Sequence, residues 1–553
     1  MDSSALLAEA SQRFNRSDLS GALALYDQIL AADPKHASAL FERARVLLAL
    51  HQHEDVVIAL GRYLALNPTS AFALMMRGES LMALRRYERA FDDFDLASAF
   101  GAGYAAGTAL NLSMRMCRWD DFDVAVTDIR ERSAAGDTAV KPYHLLSIPS
   151  SPDEQRTCAE RYYATVATHS VRPAVEVKAS AKIRVGYFST DFRDHAVSHL
   201  VSGLLRAHDR SRFEVIAFTL ADDPFDPVRN MIAANVDHFV NIAGLSPAES
   251  AARAREMGVH IAVDMNVYLG PQPAIFSCGA APIQVSYLGY AGTSGGQCYD
   301  YIVGDAVITP REHAAHFSER LVILPHAYQP TDFHRFEVLP SRTRETVGLP
   351  ASGFVFCCFN DSFKITPDVF DVWMRLLKQV DGSVLWLLAT NDVAMRNLRT
   401  EAEKRGVAAK RLIFAPRAPL YEHLARHRAA DLFLDTFHYN AHTTASDALW
   451  AGLPLLTKRG DTFAARVAVS LITAAGIPEL ITHGVEAYEQ LALDLATDPA
   501  KLTRMKAKLA QNRMTCPLFD TVRYTRNLER AYEAMWARHQ TGLAPDHITV
   551  VEP

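Results

Sequence analysis

The sequence predicts a helical repeat array followed by two parallel α/β domains. Three observations carry this: a 34-residue internal period at the N-terminal end, two later series of strand-length apolar runs alternating with helices, and a length of 553 residues. A single hydrophobic core stops growing near about 250–300 residues, so a chain of this size divides into several domains.

The period is read first. Asp33-Pro34 and Asn67-Pro68 lie 34 residues apart, and the same step takes Ala10 to Ala44 to Gly78, Leu6 to Leu40 to Leu74, and Tyr26 to Leu60 to Phe94. Ala22, Val56 and Ala90 keep the register. Small residues recur where two helices approach closely, and proline recurs where one helix ends and the next begins. That is the tetratricopeptide (TPR) pattern. Where proline is due at 102 the chain has Ala102 between Gly101 and Gly103, and from there to about residue 175 the segments still read as helical while the repeat decays. Stacked repeats create a concave groove suited to a peptide, though a short array can also serve as a homodimer contact.

Near Val171-Arg172-Pro173 the pattern changes to short apolar runs. Strands are expected near Ile183–Phe188, Phe213–Phe218, His260–Asp264, Ile283–Tyr287, Tyr301–Val303 and Leu321–Leu324. A second series covers Phe354–Phe359, Val384–Leu388, Arg411–Phe414, Leu432–Leu434 and Pro454–Leu456, with helices such as Pro367–Val380 and Thr444–Ala451 between strands. Apolar strands alternating with helices indicate parallel sheets covered on both faces. Two series joined by a linker around Pro340–Ser352 indicate two Rossmann-like domains, whose ligands bind beyond the carboxyl ends of the strands.

Composition narrows the function. Hydrophobic residues make up 49% and charged residues 22%, as in globular domains, and the net charge of −6 gives no basic excess for nucleic acid. Seven scattered cysteines without C-x-x-C spacing suggest thiols in a reducing compartment and argue against zinc. No run approaches 18 uninterrupted apolar residues and the first residues carry no secretory pattern, so the expectation is a cytoplasmic protein without a membrane span. No GxGxxG follows the first strand and no GxxxxGK[ST] occurs, which disfavours hydride transfer and P-loop ATP hydrolysis.

The chemistry concentrates in a few stretches. After the strand ending at Asp435, a polar loop leads to a helix start at Thr443-Thr444, where unbonded amides and two hydroxyls suit a diphosphate. The same residues would equally cap an ordinary core helix. Asp447, one turn further, suits ribose hydroxyls. Lys364 follows a strand end just before Thr366-Pro367, a position from which its charge reaches a leaving diphosphate. In the first α/β domain Asp191-Phe192-Arg193-Asp194-His195 follows the first strand, whereas His260 precedes its strand and so falls at the wrong end for a cleft. The glycine-rich tail of residues 281–295 suits either a close backbone approach to a ligand or a plain turn. Two D-x-D pairs, Asp93–Asp95 and Asp121–Asp123, fall in the helical region and read as solvated helix faces.

The runs DFRDHAVSHL (191–200), APIQVSYLGYAGTSG (281–295), FNDSFKITP (359–367) and HTTASDALWAGLPLLT (442–457), behind TPR repeats, resemble the O-linked N-acetylglucosamine transferase family, which includes the SPINDLY proteins. The short array is similar to that of bacterial members. The resemblance implies an α-helical TPR superhelix followed by an α/β glycosyltransferase-B fold of two Rossmann-like domains. It divides the chain into 1–175 repeats, 176–345 and 346–518 catalytic domains, and 519–553 C-terminal helix and tail. It implies inverting, metal-free transfer of N-acetylglucosamine from UDP-GlcNAc to protein Ser/Thr hydroxyls, without a cofactor. SPINDLY-type members use GDP-fucose instead, and a UDP-GlcNAc-binding scaffold with little turnover is a further alternative. By the same resemblance Lys364 meets the diphosphate and His442, Thr443 and Thr444 form the phosphate-binding helix start. Asp447 meets the ribose, and His423 and Arg426 lie near the uracil and diphosphate. His260 matches a histidine discussed as general base, and His195 another cleft histidine. Asp361 stands where eukaryotic members carry glutamine, a change beside the diphosphate.

Overall fold

The computed structural model describes residues 3–169, 171–178, 180–332 and 343–552. The chain forms two compact units, Met1–His144 and Leu145–Pro553.

The first unit is built of helix pairs: α1 (Ser3–Asn15) with α2 (Leu19–Ala32), α3 (Ala37–Ala49) with α4 (His53–Leu66), α5 (Ala71–Ala83) with α6 (Tyr87–Ala99), and α7 (Ala105–Arg115) with α8 (Phe122–Ala134). The apolar register residues named above are all buried, the Asp33-Pro34 and Asn67-Pro68 turns lie at or near the surface, and Tyr26, Leu60 and Phe94 fill the same place in successive pairs. Gly78 has no room for a Cβ, which would fall 2.7 Å from the Phe94 ring. The turn inside each of the first three pairs is closed by a non-glycine residue in the left-handed region, Ser17, His51 and Arg85, again at a 34-residue step. A fourth pair follows where the repeat was expected to decay; Gly101, with φ of +79°, turns the chain after α6, one residue before the position due for proline. Asp93 is no solvated residue: it is buried and takes two hydrogen bonds from Arg77 (2.8 and 2.6 Å).

The second unit begins at residue 145 rather than 175. The reason is the helix Pro152–Val166, whose Tyr163 packs with Phe188 and Phe276 and whose Ala159 carbonyl accepts from Tyr268 Oη (3.0 Å). The unit holds two parallel sheets. The first comprises β1 (Ile183–Ser189), β2 (Phe213–Thr219), β3 (His238–Asn241), β4 (Ile261–Asp264), β5 (Ile283–Ser286), β6 (Tyr301–Asp305), β7 (Arg320–Leu324) and the C-terminal β14 (Ile548–Thr549). Its order is β14-β7-β6-β5-β4-β1-β2-β3. The second comprises β8 (Val355–Cys358), β9 (Val384–Leu388), β10 (Leu412–Ala415), β11 (Leu432–Leu434), β12 (Leu455–Lys458) and β13 (Ile481–Thr482), ordered β10-β9-β8-β11-β12-β13.

Both orders reverse direction once, between β1 and β4 in the first sheet and between β8 and β11 in the second. At such a point the two connections leave on opposite faces, and a crevice opens beyond the strands' carboxyl ends. Of the expected linker, residues 340–342 lie outside the described residues. The helix Thr521–Gln540 returns to the first sheet, where Tyr524 and Tyr532 hydroxyls meet those of Tyr287 (2.5 Å) and Tyr187 (3.1 Å). Among the described residues no helix is long and apolar enough to cross a membrane.

Candidate functional site

At the second switch point β8 runs into Phe359-Asn360-Asp361 and one 3-10 turn, Ser362–Lys364, while β11 runs into the loop 435–442 and the helix Thr443–Ala451. Asp435 ties this loop together. Its Oδ1 accepts from the amides of Thr436 (2.8 Å) and Ala441 (2.6 Å), and its Oδ2 from Thr457 Oγ1 (2.7 Å). Full burial pushes this carboxyl up to about 6 despite those donors and Lys364. Lys364 Nζ donates to the Asn440 carbonyl (2.9 Å) and lies 3.7 Å from the Tyr439 ring centroid. Burial lowers the ammonium to about 8, against the pull of Asp435 and Asp361.

The Thr443–Ala451 helix starts beside Lys364. The Ala445 and Ser446 amides both donate to the His442 carbonyl (3.0 and 3.2 Å), so the Thr443 and Thr444 amides precede the helix's own bonds. Thr444 Oγ1 donates to Asn360 Oδ1 (2.7 Å), and Asn360 Nδ2 donates to Thr436 Oγ1 (2.8 Å). His442 Nε2 donates to the Ala464 carbonyl (3.2 Å), and burial followed by the Lys364 charge keeps the ring neutral. A cation, two helix-start amides and the Thr443 hydroxyl thus lie on one side of a strand crevice, which suits an anion. Asp447 is buried one turn in. Asp361 precedes the 3-10 turn, 3.7 Å from the Arg417 guanidinium.

Arg426 is packed within its domain. It is 6% exposed, donates to the Pro416 carbonyl and to His423 Nδ1 (each 2.5 Å), and lies 4.5 Å over the Phe359 ring. Burial lowers it to about 10. In this arrangement Arg426 braces His423 against Phe359.

At the first switch point β1 ends at Ser189, and His195 stands at the start of the helix Ala196–Ala207, with Nδ1 accepting from the Val197 amide (3.3 Å). Asp191 Oδ2 lies 3.5 Å from the same nitrogen and accepts from Asn266 Nδ2 (2.6 Å) beyond β4. His260 is not brought here. It precedes β4, at the opposite end of the parallel sheet, with no exposed surface. Its Nδ1 accepts from the Arg184 amide (2.8 Å), its Nε2 donates to the Lys178 carbonyl (3.2 Å), and its ring lies 4.3 Å from Trp536. Both nitrogens are occupied by backbone, so His260 is a packing residue and its assignment as general base is withdrawn. The glycine-rich tail after β5 is explained by packing as well: a Cβ on Gly289 would fall 2.0 Å from the Met265 carbonyl.

Hydrogen bonds join the two α/β lobes beyond their strand ends. Beyond β7, Gln329 Nε2 donates to Ser446 Oγ (3.2 Å) on the Thr443–Ala451 helix. At the end of β6, Asp305 accepts from Ser470 Oγ (2.6 Å). Asn360 and Asp191 lie inside the quoted motifs, and Asp435 at a quoted strand end, without a role being read for them, and the motifs do not single out Asn266; their common sequence signal is a position at or just past the end of a strand that flanks a switch point. Among the described residues no three His, Cys, Asp or Glu side chains gather as a metal-binding group.

Comparison with known proteins agrees with this geometry. The chain is 34% identical over 461 residues to a probable UDP-N-acetylglucosamine–peptide N-acetylglucosaminyltransferase SEC of Arabidopsis thaliana, covering 79% of this chain and 47% of that one. It is 31% identical over 382 residues to a SPINDLY protein of Oryza sativa, covering 66% and 40%. The chain therefore spans about half the length of the curated relatives it matches or less. A solved mutant of the Thermobaculum terrenum O-GlcNAc transferase superposes with a TM-score of 0.73 at 26% identity, over 98% of both chains. The glycosyl transferase family 41 pattern matches residues 117–342 and 335–528, most of the chain and both switch points, and the protein belongs to that family.

Proposed function

We propose that this protein is an inverting glycosyltransferase that moves N-acetylglucosamine from UDP-GlcNAc to serine or threonine hydroxyls of proteins, with the helical repeats contributing to acceptor binding. The observation that carries the reading is the convergence of Lys364 with the Thr443-Thr444 helix start at one switch point, facing a histidine at the other. The relatives named above as N-acetylglucosaminyltransferases support the choice of donor.

The departing diphosphate gains charge as the anomeric bond breaks. Lys364 and the Thr443 and Thr444 amides meet that charge from fixed positions, so they need little reorganisation in the transition state. Asp447 holds the ribose and His423 borders the base. His195 accepts the acceptor proton while the hydroxyl oxygen bonds the anomeric carbon on the face opposite the leaving group. A protein-borne cation and helix dipole serve where other transferases use a divalent ion, so turnover is expected to proceed without one.

The test is release of the nucleoside diphosphate, UDP from UDP-GlcNAc or GDP from GDP-fucose, with and without acceptor peptide and after chelation with EDTA. Acceptor-dependent release from UDP-GlcNAc, unchanged by EDTA, is the expected result. Release from GDP-fucose alone would reassign the donor, and loss with EDTA that one divalent ion restores would overturn the metal-free mechanism.

A further inference from the structure

His195 faces a choice between two protonation patterns. The Val197 amide donates to Nδ1, which places the proton on Nε2 and leaves no lone pair for a substrate. A proton on Nδ1, donated to Asp191 Oδ2 from 3.5 Å, would instead free the Nε2 lone pair. A general base requires the second pattern.

Asp191 is built to favour it. Asn266 Oδ1 accepts from Ser189 Oγ (3.1 Å), the Thr190 amide (2.9 Å) and Gln272 Nε2 (2.8 Å), so its amide group cannot be reversed. Its Nδ2 therefore points at Asp191 and requires an acceptor there, which an ionised carboxylate supplies. Asn266 and Gln272 are fully buried and Asp191 is 6% exposed, so this chain of donors ends at a single carboxylate facing His195.

We propose that Asp191, oriented by Asn266, is a positioning residue that selects the Nδ1–H tautomer of His195 and so makes Nε2 available to the acceptor hydroxyl. This rests on the reading of His195 as base. In the step, the hydroxyl O–H bond breaks and its proton passes to Nε2. The oxygen bonds the anomeric carbon, and the electron pair of the sugar–phosphate bond leaves with the diphosphate. The imidazolium formed keeps its Nδ1–H on Asp191. Arg193, Asp194 and His199 also face His195, and Asp226 accepts from the Asp194 amide (2.7 Å).

The experiment compares wild type with Asp191→Asn. An amide at 191 can donate to Nδ1 and fixes the unproductive tautomer, so kcat is expected to fall by about 10²–10⁴ while the UDP Kd stays within about twofold. The acidic limb of the pH–rate profile should move to lower pH, since the imidazolium loses its carboxylate. Imidazole-¹⁵N NMR should show Nδ1–H of His195 in the UDP-bound wild type and Nε2–H in the variant. A purely structural role would lower kcat without moving the limb or the tautomer, and that result would overturn the proposal. The wild-type spectrum stands even if the variant does not fold: a His195 held wholly as Nε2–H with UDP bound would also overturn it. A protein that shows the tautomer shift yet transfers no sugar would refute the proposed function and leave the tautomer assignment intact.

Discussion

The two switch points share one topology and carry opposite chemistry. Beyond β8 and β11 the protein presents a lysine and open amides, and the buried carboxylate of Asp435 is spent on holding the loop. Beyond β1 and β4 it presents an imidazole backed by a carboxylate. The difference teaches that the crevice supplies the position and the loop sequences supply the charge. On the proposed function, one lobe would stabilise the leaving anion and the other would remove a proton.

Substitutions can break this division, and the largest effect is expected in the first lobe. His195→Ala should lower kcat by about 10²–10⁴ with the UDP Kd unchanged, as for removal of a general base; steady-state kinetics with UDP titration checks it. Lys364→Ala should lower kcat by about 10²–10³ and weaken UDP as well, because its charge acts before and during bond breaking. Near-wild-type turnover in that variant would remove Lys364 from the mechanism.

His260→Ala sharpens the comparison from outside the crevice. It removes two buried hydrogen bonds and the contact with Trp536, so stability should drop by about 2–4 kcal/mol in chemical denaturation. The folded variant should keep kcat within a few-fold, and a loss of 10²-fold or more would restore a catalytic role. Thr444→Val removes the bond to Asn360 that fixes the helix start against the β8 loop, with an expected loss of about tenfold in UDP affinity.

The smallest effect is a pH dependence. Lys364 is charged below about 8 and neutral above it in the free protein. Bound diphosphate favours the charged form, so UDP affinity should fall as pH rises through 8, by at most about tenfold per unit. Lys364→Met should flatten that slope, as calorimetric titration at several pH values would show.

Much of this architecture was legible in the chain because strands buried on both faces read as continuous apolar runs, and all eleven expected strands are present within a residue or two. The three missed strands, β3, β13 and β14, are short edge or end strands: His238 and Asn241 are exposed, and β13 and β14 have two residues each. The fourth helix pair was legible as helical but not as a repeat, because Gly101 turns the chain in the left-handed region one residue before the position due for proline. Lys364, Thr443 and Thr444 were legible from local position, after a strand and at a helix start. Asp435 and Asn266 were not, because their partners Asn360 and Asp191 each lie 75 residues away in sequence. Arg426 is named by the family motif, and the structure adds that its guanidinium packs onto Pro416 and His423.

The division of labour is tested most directly by titrating UDP into the wild type, Lys364→Ala and His195→Ala. The account predicts at least about a tenfold weaker Kd for Lys364→Ala and a Kd within about twofold of wild type for His195→Ala. Equal weakening in both variants, or no weakening in Lys364→Ala, would contradict it.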